Sequence, residues 1–200
     1  MKHLLLAAVA AALVAPAATA ATGSCLDLAD PAGDLAVWDA PAPTVPAGTE
    51  LDALDLVGVR LEATTGDAVT ATFSLAGAPA PRPGMRFRYK VVFHDDAYDY
   101  VLFAEVDNVV RMPFGGPYGI DVSPRGSDQS WSHSVSGSID ATARTVTVAA
   151  FGSSVPVLTL DPGHDFTVDS VQTFGGVGAT YGHWDMVTGP HTLVVGDGCP

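Results

Sequence analysis

Val57-Gly58-Val59-Arg60-Leu61-Glu62, the turn signal Gly66-Asp67, and Val69-Thr70-Ala71-Thr72-Phe73-Ser74-Leu75 decide the fold. In the first run Val57, Val59 and Leu61 point one way, with Arg60 and Glu62 opposite. In the second, Val69, Ala71, Phe73 and Leu75 alternate with Thr70, Thr72 and Ser74. Successive side chains of an extended chain face opposite ways, so this patterning reads as a β-hairpin with one face on a core.

The same period continues downstream. Phe87, Tyr89, Val91 and Phe93 alternate with Arg86, Arg88, Lys90 and Val92, and Tyr98, Tyr100, Leu102 and Ala104 return after a turn near Asp95-Asp96. Val101 and Phe103 make the second of these strands apolar on both faces, which predicts a central, covered position. Arg86, Arg88 and Lys90 form a basic stripe expected to pair with carboxylates across the sheet. Ile120 and Val122 mark a short strand, Trp131 to Ile139 a longer one, and Thr145 to Ala150 its hairpin partner. Phe166 to Phe174 forms another strand before a Gly175-Gly176-Val177-Gly178 loop, and His191 to Val195 closes the fold. Helical periodicity is almost absent. The expected class is all-β, an antiparallel β-sandwich of jelly-roll or immunoglobulin-like type with about 8–10 strands.

Lys2 and His3, the apolar run from Leu4 to Val14, and Ala18-Thr19-Ala20 fit an export signal over residues 1–20. Residues 21–200 are expected to form a single sandwich domain, secreted and monomeric. No later stretch approaches the ~20 apolar residues that span a bilayer. The formal net charge of −13 argues against nucleic acid or an anionic membrane as partner, since both need clustered Lys and Arg. Cys25 and Cys199, the only two cysteines, are most simply a disulfide in an oxidising compartment.

Upstream of the hairpin, residues 25–59 carry Asp27, Asp30, Asp34, Asp39, Glu50, Asp52 and Asp55 with no Lys or Arg. A Pro/Ala-rich loop, residues 39–48, separates the two acidic groups. Asp30 and Asp34, around Pro31 and Gly33, can turn toward one point, and Asp52 and Asp55 stand beside the next strand. Calcium takes six to eight hard oxygen ligands, so these four carboxylates are its candidate ligands. The alternative is that Asp30 and Asp34 cap their own turns.

Asp30-Pro31-Ala32-Gly33-Asp34, Leu54-Asp55-Leu56-Val57-Gly58-Val59, the aromatic strand pair around His94 to Tyr100, and Ser136-Gly137-Ser138-Ile139-Asp140 running into Thr145-Val146-Thr147-Val148 carry a resemblance. Together they resemble the secreted DOMON-like β-sandwiches related to family-nine carbohydrate-binding modules. The resemblance implies a jelly-roll-like sandwich, often with calcium beside the first loop, that binds sugars, haem or other small ligands.

Trp38, Trp131, Trp184, Tyr118 and Tyr181 fall in or beside expected loops, where an aromatic face can stack on a sugar ring or close an end of the core. The histidines lack the spacing of a zinc site. Nucleophile motifs are absent, and Asp95, Asp96 and Glu105 are the carboxylates a glycan hydrolase would use. The expectation is a non-catalytic, calcium-stabilised module binding carbohydrate or another small ligand. The alternatives are a secreted glycan hydrolase and a structural envelope or matrix protein.

Overall fold

A computed structural model describes residues 22–35, 49–81, 83–107, 117–177 and 180–199. The expected leader and the Pro/Ala-rich loop 39–48 lie outside the described residues. In chain order the elements are β1 (Thr22–Gly23), β2 (Cys25–Ala29), a single helical turn α1 (Thr49–Asp52), β3 (Leu56–Ala63), β4 (Ala68–Leu75), β5 (Met85–His94) and β6 (Tyr98–Asp107). They continue with β7 (Tyr118–Pro124), β8 (Trp131–Ser134), β9 (Ser136–Asp140), β10 (Thr145–Phe151), β11 (Asp165–Val177) and β12 (Thr180–Val194). One sheet has the order β1-β12-β11-β5-β6-β7-β8 and the other β2-β3-β4-β10-β9. Every pairing is antiparallel except that of the two-residue β1 with β12. The chain is the all-β sandwich expected; short edge strands raise the described strands to twelve.

The core lies between the sheets, where alternation puts Phe73 of β4, Tyr89 and Phe93 of β5, Tyr100 of β6 and Phe166 of β11 out of water. Phe93 stacks on Tyr100 with centroids 5.0 Å apart, and Phe166 meets both edge-on. Burying each such ring stabilises by about 1.5–3 kcal/mol. As expected, β6 is central, between β5 and β7.

Three local expectations are corrected. Val57 does not join Val59 and Leu61 in the core: a register shift between Leu56 and Gly58 turns Leu56 inward and leaves Val57 40% exposed. A bulge inserts one residue and so reverses the alternation on one side of it. The run from Trp131 to Ile139 is two strands, because the chain leaves the seven-stranded sheet at Val135 and enters the five-stranded one. Gly175 and Gly176 belong to β11, held between β5 and β12 by pairing with Phe87 and Arg86 on one side and Gly182 and Tyr181 on the other.

A second sheet-switch occurs at Ser24, between β1 and β2. The sandwich is therefore laced along both long edges, by β1–β2 on one and β8–β9 on the other. On the second edge Tyr118 lies against Gly137, where an added Cβ would fall 2.4 Å from the ring.

Cys25 and Cys199 are joined, with Cα atoms 5.0 Å apart and a sequence separation of 174. Cys199 N–H also donates to Glu62 Oε1 at 3.2 Å. In the chain-entropy account a loop this long contributes about 5 kcal/mol, acting on the unfolded state. Replacing both cysteines by serine is expected to cost about 2–5 kcal/mol, read as a lower urea midpoint with the far-UV spectrum of the folded protein unchanged.

Candidate metal centre

The segment joining α1 to β3 crosses the interior, and its peptide groups need partners there. The Tyr89 hydroxyl donates to the Ala53 carbonyl at 2.8 Å, and the Thr173 hydroxyl to the Leu54 carbonyl at 2.6 Å. Leu56 N–H donates to Asp185 Oδ2 at 2.7 Å. Tyr89, Thr173 and Asp185 form one cross-strand row on the inner face of β5, β11 and β12. That row holds residues 53–56 against the seven-stranded sheet.

This clamp gathers carboxylates. Asp55 sits within the clamped segment, 4% exposed, and its Oδ2 accepts from Gly33 N–H at 2.8 Å. The same bond ties down the turn after β2, where Asp30 N–H donates to the Val57 carbonyl at 3.1 Å. One carboxylate oxygen each from Asp30, Asp34 and Asp185 lies within 4.8 Å of the others. Asp30 Oδ2 and Asp55 Oδ1 are buried with no hydrogen-bond donor.

The electrostatics follow from the crowding. Burial, then the charges of Asp185 and Asp34, push Asp30 up to about 7. Burial also raises Asp55, with Asp34 and Asp52 adding to it against the Gly33 N–H. Asp185 is raised by burial, opposed by the N–H groups of Leu56 and Met186. Carboxylates in this arrangement either share protons or gain a cation.

Of the four sequence-expected ligands, Asp30 and Asp34 meet and Asp55 adjoins them. Asp52 does not join them: it ends α1 with an exposed side chain, and its carbonyl accepts from Gly77 N–H. Asp185 takes the remaining place from β12. Its one sequence signal is a carboxylate on the core phase of a strand, in step with the inward residue Thr173 opposite.

The aromatic candidates do not converge in the same way. Trp131 opens β8 and is 47% exposed. Tyr118 opens β7 and packs on the core rather than sitting in a loop. Tyr181 and Trp184 lie within β12 rather than in loops; their side chains, and Trp38 altogether, fall outside the described residues. Asp95 anchors the β5–β6 turn, accepting from Ala97 N–H, Tyr98 N–H and the Tyr100 hydroxyl. Glu105 is bridged by Arg86 and Arg88, and the Asp99–Glu105 stretch separates it from that turn by about 20 Å of strand rise. The hydrolase pair is thus not assembled. Lys90, the third cation of the stripe, instead covers the Phe174 ring at 4.4 Å. His94 and His164 line a polar cleft with Asp95, Asp96 and Arg125, a meeting that their sequence positions do not reveal.

No protein-family model, curated protein or solved structure matches the chain.

Two outcomes follow from the site. Thr173→Val removes the donor to a buried carbonyl and is expected to destabilise by about 1–3 kcal/mol in chemical denaturation. The raised carboxylates bind protons in the folded state that the unfolded chain has released. In a metal-free buffer this stabilisation is complete below pH 3.8 and is lost as pH rises to about 7, through the folded value of Asp30. The melting temperature should therefore fall over that range, and Asp30→Asn should flatten the fall.

Proposed function

We propose that this chain is an exported, non-catalytic β-sandwich binding module of the DOMON-like kind, stabilised by calcium held at Asp30, Asp34, Asp55 and Asp185. The observation that carries this reading is the convergence of Asp30, Asp34 and Asp185, with the Asp55 charge acting on all three and two buried oxygens, on Asp30 and Asp55, that have no donor. Oxygen spacings up to 4.8 Å suit ligands placed around one ion at about 2.3–2.6 Å. An all-oxygen, strongly anionic set favours a hard cation, and the flexible coordination of calcium suits it better than magnesium, which demands near-octahedral order. Bound calcium would offset about half of the cluster's charge and join the segments flanking β2 and β3 to β12, across the two sheets. The Cys25–Cys199 bridge supports an oxidising, extracellular setting.

The test is a pair of thermal melts, in EDTA and in calcium at one hundred times its dissociation constant. The expected gain is about 2.7 kcal/mol. Asp30→Asn should abolish the gain yet raise the melting temperature in EDTA, because it relieves repulsion among the remaining carboxylates. Asp52→Ala should keep the gain. No calcium response in the unaltered protein would reject the reading.

A further inference from the structure

β9 ends the five-stranded sheet, so one side of its backbone is open. Ser136, Gly137, Ser138, Ile139 and Asp140 are all exposed. Open edges are usually guarded by Lys, Pro, a bulge or a very short strand. β9 has no Lys or Pro, and its register with β10 runs without a shift from Asp140 to Ser136. The other edges are less suited to a second strand. β1 has two residues and β8 four. β2 carries Asp27 at its middle position, where a second copy would set two carboxylates opposite each other.

The side chains of β9 match their own sequence run backwards. Gly137 and Ile139 stand opposite Val148 and Val146, both buried, and so lie on the core side of the sheet. Ile139 is nevertheless 37% exposed, because no further strand flanks it. Laid antiparallel on a second copy about Ser138, β9 sets Ile139 opposite the partner's Gly137, beside the Tyr118 ring that lies against that glycine. On the other face Asp140 stands opposite the partner's Ser136. Asp140 Oδ1 accepts from Thr142 and Ala143 N–H at 2.9 and 2.8 Å, which leaves its second oxygen for the serine hydroxyl. Ser138 meets Ser138 on the axis. A large side chain thus meets a position that has none, a carboxylate meets a hydroxyl, and like charges do not face each other.

We infer that β9 docks a second copy of this chain, antiparallel about a two-fold axis at Ser138, so that the two five-stranded sheets become one continuous sheet. A two-fold contact uses the same patch from both sides, so each of these matches is made twice. A charged foreign strand would meet one carboxylate on β9 and gain little. The net charge of −13 on each chain opposes approach, and salt screens that repulsion beyond ~8 Å at physiological ionic strength. The dimer therefore tightens as salt is raised, the reverse of a contact held by charge. Five residues a side make a small, weak interface, and the monomer expected from the sequence is its dilute form.

The experiment is sedimentation velocity of the protein from about 1 μM to about 1 mM, at low and high salt. A concentration-dependent passage from monomer to dimer is expected, stronger at high salt. Ser138→Lys and Ser138→Asp each set like charges face to face on the axis, and each variant alone should stay monomeric. An equimolar mixture of the two should form a heterodimer, since opposite charges then meet. Ile139→Ser should weaken the dimer of the otherwise unaltered chain by at least about tenfold. All three changes fall on exposed positions, and the variants should keep the far-UV spectrum and cooperative melt of the parent. A parent that is monomeric at every concentration would overturn the inference. A dimer that both Ser138 variants retain would place the contact elsewhere, and a mixture that stays monomeric would reject the two-fold register. Association that continues past the dimer would overturn it too, because a two-fold contact closes on itself.

Discussion

Two sheets laid face to face leave open ends, and whatever chain closes an end carries peptide groups into a space without water. Each unpaired group there costs about 1–3 kcal/mol. Residues 53–56 close this sandwich, and the Tyr89 and Thr173 hydroxyls with the Asp185 carboxylate satisfy them. The position of Asp55, the turn it ties through Gly33, and the approach of Asp30 to Asp185 all follow from that closure. A hydroxyl on Tyr89 and a carboxylate on Asp185 look out of place on core-facing positions. They are the means by which an interior crossing is tolerated.

The fold was legible in the sequence because alternation of period two is a property of each strand alone. Val69, Ala71, Phe73 and Leu75 sit on the inner face as their spacing dictates. What could not be read was where the alternation breaks. A bulge at Leu56–Gly58 and a sheet-switch at Val135 arise from pairing with distant strands. Neither leaves a local mark beyond a glycine or a serine-rich run. The acidic site was half legible for the same reason. Asp30, Asp34 and Asp55 are close in sequence, whereas Asp185 is joined to Leu56 only through an interior 129 residues away along the chain. Asp52, near in sequence, ends α1 with an exposed side chain and is not among the converging carboxylates.

The basic stripe of β5 shows how neighbours decide the use of a charge. Arg86 and Arg88 reach Asp107 and Glu105 of β6, the cross-strand pairing that alternation predicts. Lys90, two residues further, stands opposite Phe103 and Gln172, and its ammonium rests over an aromatic ring. Cations with identical spacing thus have different environments. Arg88 combines its carboxylate with the Phe103 ring, 4.6 Å away, whereas Lys90 has the diagonal Phe174 ring.

The bridge between Cys25 and Cys199 has a mechanical consequence. Its two Cα atoms are 5.0 Å apart, so polypeptide leading to Cys25 and polypeptide leading from Cys199 leave from one point on the surface. Tension drawn along the chain from both sides crosses that covalent link, and among the described ladders only the two-residue pairing of β1 with β12 lies outside it. Past that short pairing, a pulled sandwich would hang unstressed like a bead knotted at its neck.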